Sequence, residues 1–165
     1  MNKTTVKIFN QLIDNKVKKK KGRQSKATSR GNAAEMIAEK LLKKHPNVKK
    51  TQTQVFVESV DEFSRIDIVV TTKTDKIVYI PVAVDLWKGT SQQDRLQLQV
   101  EKFKGGNFDK IEYCYLCATD YKDFLSHKYT KRARRGPTLQ KWAKKLAKEK
   151  ILHNIETLFT HLDSL

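Results

Sequence analysis

Apolar residues recur along the chain with two different periods, and each period marks an element. Ala34, Ile37, Ala38, Leu41 and Leu42 fall at i, i+3, i+4, i+7 and i+8, the spacing of one buried helix face, and His45-Pro46 ends that run. From Gln52 to Val60 the residues QTQVFVESV alternate instead, and two β-branched runs follow, RIDIVVTT over Arg65 to Thr72 and KIVYIPVAVDLW over Lys76 to Trp87. The short turn Lys73-Thr74-Asp75 joins these two runs, so the pattern predicts a three-stranded meander. Pro81 lacks a ladder donor and predicts a bulge or an edge position within the third strand. After Gly89, SQQDRLQLQVEKFKGG reads as a polar helix closed by Gly105-Gly106, Ile111 to Thr119 as a fourth strand, and 138–162 as one long helix or two short ones.

The element order, helix, three strands, helix, strand, helix, predicts an α/β (α+β) domain with a central mixed sheet of about four to five strands flanked by helices. With 165 residues, the chain is expected to form one domain over 31–165, preceded by a basic N-terminal arm over 1–30. Residues 16–30 carry eight Lys and Arg and no acid, a density of like charge that predicts a loop or arm rather than a core element, and the cluster at 131–135 is read in the same way.

Charge decides the class of partner. The formal net charge of +16 implies a polyanion, because each cation that neutralises a phosphate releases a condensed counterion. The basic residues expected to hold phosphates are Lys18, Lys19, Lys20, Lys21, Arg23, Lys26 and Arg30 in the arm and Lys131, Arg132, Arg134 and Arg135 in the cluster. No apolar run approaches the roughly 20 residues that cross a bilayer, and the N-terminal stretch lacks the features of a secretory signal, so an intracellular protein with no membrane partner is expected. Cys114 and Cys117, three apart in a strand pattern, point to opposite faces and are read as buried thiols rather than metal ligands.

Two acids resist explanation by solubility. Asp67 and Asp85 lie within or at the end of apolar β-branched runs, where an unpaired carboxylate costs several kcal/mol. On neighbouring strands the two can converge on one divalent cation, for which hard oxygen ligands suit Mg2+ or Mn2+, with Lys88 nearby. Structural readings stand beside this one. Asn32-Ala33-Ala34-Glu35 has the form of a capping box, Asp67 can pair with Arg65, and Asp85 with Lys88 can be a strand-end ion pair.

At these residues the sequence resembles the PD-(D/E)xK nuclease superfamily, which includes restriction endonucleases and Holliday-junction resolvases. The matching pieces are Glu35 in RGNAAEMIAEKLL, Asp67 in SRIDIVV, and Asp85 with Lys88 in VAVDLWKG. Gln93, Gln97 and Gln99 resemble the glutamine motif that follows the lysine in some branches. The resemblance implies a restriction-endonuclease-like core and a Mg2+-dependent (or Mn2+-dependent) DNA endonuclease, either a restriction or homing-type duplex cutter or a junction resolvase, acting as a homodimer. It implies Asp67 and Asp85 as metal ligands, Glu35 as a helix-borne outer ligand, Lys88 as the cation that positions water, and Gln93 and Gln97 on nucleic acid. The sequence departs from the family pattern in two places: Trp87 stands where the lysine is expected, Lys88 following it, and Ile66 replaces the proline. The competing reading is a basic DNA-binding protein with a degenerate nuclease-like core. An RNA-binding protein of the ribosomal kind accounts for the charge but leaves the two strand acids unexplained.

Overall fold

Irregularities in the predicted sheet shape the site. The computed structural model describes residues 3–19, 26–57, 65–85, 90–106, 110–128 and 136–165. Strands β1 (Val48–Phe56), β2 (Arg65–Thr72) and β3 (Ile77–Ile80) form the expected antiparallel meander, with Asp75 in the left-handed region at the β2–β3 turn, a conformation that Asp tolerates. Pro81 then interrupts the ladder, and the chain resumes as β4 (Val82–Ala83). The neighbouring parallel segment is divided in the same way, into β5 (Ile111–Tyr113) and β6 (Tyr115–Cys117) on either side of Cys114. Bonds from Cys114 N–H to the Tyr79 carbonyl (2.8 Å) and from Leu116 N–H to the Pro81 carbonyl (2.9 Å) carry the pairing across the break. The four-stranded sheet β1-β2-β3-β5 thus continues into the three-stranded sheet β4-β6-β7, where β7 (Leu152–His153) pairs parallel to β6.

The side chains alternate into two cores. Ile68, Val70, Val78 and Ile80 face one side, covered by α1 (Lys3–Lys19), α2 (Lys26–Lys43) and α6 (Ile155–Asp163). Ile66, Val69, Tyr79 and Ala83 face the other, covered by α3 (Thr90–Gly105), α4 (Tyr121–Ser126) and α5 (Gly136–Lys148). The result is the expected α/β (α+β) class, a mixed sheet between helical layers. Cys114 and Cys117 are buried thiols outside any disulfide, one in each core, as their spacing predicts.

Two local expectations change and one open alternative is decided. Residues 3–19 are helical, and Phe9 and Ile13 are wholly buried among α2 and the sheet, so this part of the predicted arm belongs to the core. Val6, Phe9, Ile13 and Val17 already have helical spacing, and burying that stripe outweighs the repulsion among Lys16, Lys18 and Lys19 at the solvent-facing end. Of the two alternatives open for the C-terminal stretch, the structure has two helices, because Lys150 adopts a left-handed backbone (φ 60°) and the chain passes through β7 before Asn154 caps α6 in a reciprocal capping box with Thr157. Helix α2 starts at Lys26, so Asn32 lies in its interior and the capping role for Glu35 falls away.

His153 gives the fold a pH dependence. Its ring is buried, with Nε2 2.6 Å from the Lys150 carbonyl and Nδ1 3.2 Å from Thr157 Oγ1, and burial, reinforced by neighbouring His161, lowers its pKa from 6.5 to about 4. The folded state therefore resists a proton that the unfolded chain accepts. The stability His153 confers is fully present above about pH 6.5 and is lost as the pH falls towards about 4, on the order of 3 kcal/mol in all. Urea titrations at pH 7 and pH 4.5 should show this loss, and His153→Gln should flatten that part of the profile.

Candidate carboxylate site

The site lies where Pro81 breaks the sheet. Asp67 sits across from the break on β2, and its Oδ2 accepts a 2.8 Å hydrogen bond from the Val82 N–H. This half-buried carboxylate thereby satisfies the first donor of β4, where the regular ladder has failed. Arg65 forms no ion pair with Asp67 among the described residues, so the pairing expected along their strand is replaced by this backbone bond.

A second acid comes from the helical layer. Helix α2 crosses the meander and presents Glu35, whose Oε2 accepts from Gln54 Nε2 at 3.1 Å. The same nitrogen lies 3.5 Å from Asp67 Oδ1. Glu35 and Asp67 therefore approach closely enough to share a single donor atom. They line an open cleft of about 140 Å3 with Arg65, Pro81, Val82, Ala83, Leu96, Gln99 and Tyr115. Gln99 is buried on α3 and its Oε1 accepts from Tyr113 Oη at 2.7 Å, which orients the amide at the cleft wall.

The remaining expected residues are placed differently. Asp85 is not among the cleft-lining residues. Thr119 Oγ1 lies 2.9 Å from Asp85 Oδ1 and 2.8 Å from the Val84 carbonyl, so one hydroxyl proton serves both, and Asp85 acts here as a tie between the end of β4 and the end of β6. Beside Asp67, β4 contributes Val82 and Ala83, which carry no side-chain ligand atoms. Lys88 lies outside the described residues, as do Lys20, Lys21, Arg23, Lys131, Arg132, Arg134 and Arg135, and the side chains of Lys26 and Gln93 are likewise outside the description. Gln97 points to solvent and bonds Glu101 one turn on, at 3.3 Å. Lys18 and Lys19 are exposed at the end of α1, whereas Arg30 pairs with Asp14 and so pins α2 to α1.

Among the described residues there is no cluster of three or more His, Cys, Asp or Glu side chains able to hold a metal. Two carboxylates nevertheless suit Mg2+, which keeps several waters and is usually held by one or two carboxylates together with substrate phosphate oxygens. The donor set Glu35 and Asp67 fits that mode, and Arg65 lines the same cleft.

Sequence reasoning missed Gln54. It falls opposite Asp67 in the β1–β2 register, between the pairs Thr53↔Ile68 and Val55↔Ile66, and its backbone is left-handed (φ 53°) in mid-strand. A left-handed polar residue leaves no trace in an alternating pattern. No family model matches the chain, and comparisons with curated proteins and with solved structures find no match.

Proposed function

We propose that the chain is a metal-dependent DNA endonuclease that hydrolyses phosphodiester bonds using Mg2+ or Mn2+ at the Glu35–Asp67 pair. The observation that carries this reading is that two carboxylates from different layers of the fold converge on one donor atom in a cleft of a strongly basic protein. A bound divalent cation would supply an activated water and balance the charge that builds up on the phosphate. The chain's own part is positional. Asp67 is fixed by the Val82 N–H, Glu35 by the rigid α2, and Arg65 stands where it can steer a phosphate oxygen into the cleft. Asp85 would join as a ligand through the oxygen that Thr119 does not engage, and Lys88, three residues on, is the cation proposed to position the water.

DNA is the proposed partner. Helix α5 buries Ala143 and Leu146 and exposes Lys141, Lys144, Lys145 and Lys148, a basic face that follows directly on the 131–135 cluster. Binding should weaken linearly in log K against log salt, and a protein engaging six or more phosphates loses about a thousandfold between 50 and 200 mM. Fluorescence anisotropy with a labelled duplex and a four-way junction checks this, and a flat salt response would remove the phosphate clamp. A homodimer would bring two sites to the two strands. Its interface would have to lie away from the apolar face of α6, because Ile155, Leu158 and Leu162 are buried within the chain's own core. Among the described residues no helix is long and apolar enough to cross a membrane.

A second reading has its own support. Asp85 tied to Thr119, and Val82 and Ala83 beside Asp67, favour a DNA-binding protein whose nuclease-like site no longer cuts. Incubating supercoiled plasmid with the protein and Mg2+ or Mn2+ separates the two. Metal-dependent nicking supports the enzyme, and tight binding without nicking under either ion supports the binder.

A further inference from the structure

We propose that the end of the sheet remote from the carboxylate cleft is a second phosphate-binding surface, which holds the backbone of a DNA segment other than the one in the cleft. This inference rests on the reading of DNA as the partner and not on the cation site. Four segments meet at this end: the connection from α2 into β1, the β2–β3 turn, and the residues that lead into β3 and into β5. The ladder fixes their order, because Lys50 pairs with Thr71, Thr71 with Ile77 and Ile77 with Ile111. Lys73 and Lys110 lie directly beyond that row. The Lys73 N–H donates to the Asn47 carbonyl at 2.8 Å, and the Ile77 N–H to the Lys110 carbonyl at 3.1 Å. Lys44 follows the last residue of α2. Three inter-strand gaps of about 4.8 Å make the row about 14 Å wide.

The charge of this end is not neutralised from within. Each acidic side chain described there already has a partner: Asp75 pairs with Lys49 at 3.0 Å, Glu112 with Lys76 at 3.1 Å, and Asp163 with His45 at 2.9 Å. Lys44, Lys50, Lys73 and Lys110 are exposed and form no ion pair among the described residues. Lys50 by itself would serve to keep the edge strand β1 from pairing with another chain, but Lys73 follows the interior strand β2, where no edge needs protection. Lysines gathered this closely repel one another, and an anionic backbone laid across them removes that repulsion while releasing its counterions. A lipid surface would need an apolar anchor as well. Of the large apolar side chains exposed on the described surface, Ile8, Leu12, Met36, Phe56 and Leu98, none belongs to these segments.

The row also has its own place in the fold. Along β2 the six residues from Asp67 to Lys73 span about 20 Å, so the lysines stand at the opposite end of the strand from the cleft. Helix α5, which carries the other basic face, packs on α4 and β7. A backbone held by the row is therefore not the one presented to Glu35 and Asp67, and one protein molecule can bring two duplexes together.

Two short duplexes, one with a donor dye and one with an acceptor, are mixed with wild-type protein and with the variant K44Q/K50Q/K73Q/K110Q, circular dichroism confirming the fold of each. Anisotropy of one labelled duplex between 50 and 200 mM salt gives the slope of log K against log salt. Energy transfer in wild type that is lost in the variant, with a slope shallower by about 3–4 units at about 0.9 per lysine, supports the surface. An unchanged slope overturns it while the DNA reading stands, because the lysines then touch no phosphate. A shallower slope without energy transfer in wild type also overturns it, because the row then only extends the grip on a single duplex. Energy transfer retained in the variant overturns it too, placing the bridge elsewhere, as in a homodimer. No DNA binding by wild type removes both the surface and the reading of DNA as the partner.

Discussion

Replacing Asp67 with Asn should abolish Mg2+-dependent DNA cleavage, a fall of about a thousandfold or more, while leaving the protein folded and its DNA affinity equal or higher. Several kcal/mol of transition-state stabilisation rest on a carboxylate-held cation in chemistry of this kind, and each 1.36 kcal/mol is a factor of ten in rate. Asn is the informative substitution because Asp67 has two duties. Its Oδ2 accepts from the Val82 N–H at the Pro81 break, and the Asn carbonyl can still do so. Asp67→Ala removes both duties and leaves the Val82 N–H without its acceptor, which should lower stability by about 1–3 kcal/mol. A plasmid nicking assay alongside thermal melts separates the chemical loss from the structural one. Undiminished nicking by Asp67→Asn would end the enzymatic assignment. The corresponding change at Asp85 carries a different expectation, because that carboxylate is bonded to Thr119. Cleavage lost in Asp85→Asn, whose carbonyl can still accept from Thr119, would mean that the Asp85 carboxylate also takes part in the reaction.

Phe9→Ala should cost about 3–5 kcal/mol, a large share of the roughly 5–15 kcal/mol that holds a domain of this size together. Phe9 is fully buried on α1, in the same core cluster as Ile13, Ala34, Ala38, Leu42 and the α6 residues Leu158 and Leu162. Asn10 strengthens the attachment, its amide nitrogen donating to the Ala118 carbonyl beyond β6 at 2.9 Å. Urea unfolding followed by circular dichroism checks the number. A loss below about 1 kcal/mol would mean that α1 is a detachable arm, as the charge of the segment suggests.

What the sequence shows and what it hides differ by physical cause. Helix α2 and the meander are legible because apolar periodicity is strong there, and Ile68, Val70, Val78 and Ile80 sit in the core their alternation predicts. The irregularity at Pro81 is legible because proline has no N–H to give. Helix α1 was obscured by its lysines, although Val6, Phe9, Ile13 and Val17 carry the helical spacing. The two residues of β7 are hidden in a helical pattern because a left-handed turn at Lys150 has no apolar signature. At the site, Asp67 stands out as a charge in an apolar strand, whereas Glu35 is singled out only by the resemblance to the nuclease pattern. Gln54 has no such signal, since its position depends on a single backbone torsion and on a register that only the folded sheet defines.

The account stands on one place for one cation, between Glu35 and Asp67. Anomalous diffraction from crystals of the wild-type protein grown with Mn2+ tests it most directly. The account predicts a peak at coordination distance from a carboxylate oxygen of each residue. A crystal saturated with Mn2+ that shows no peak there, or a peak only at Asp85 and Thr119, would contradict it.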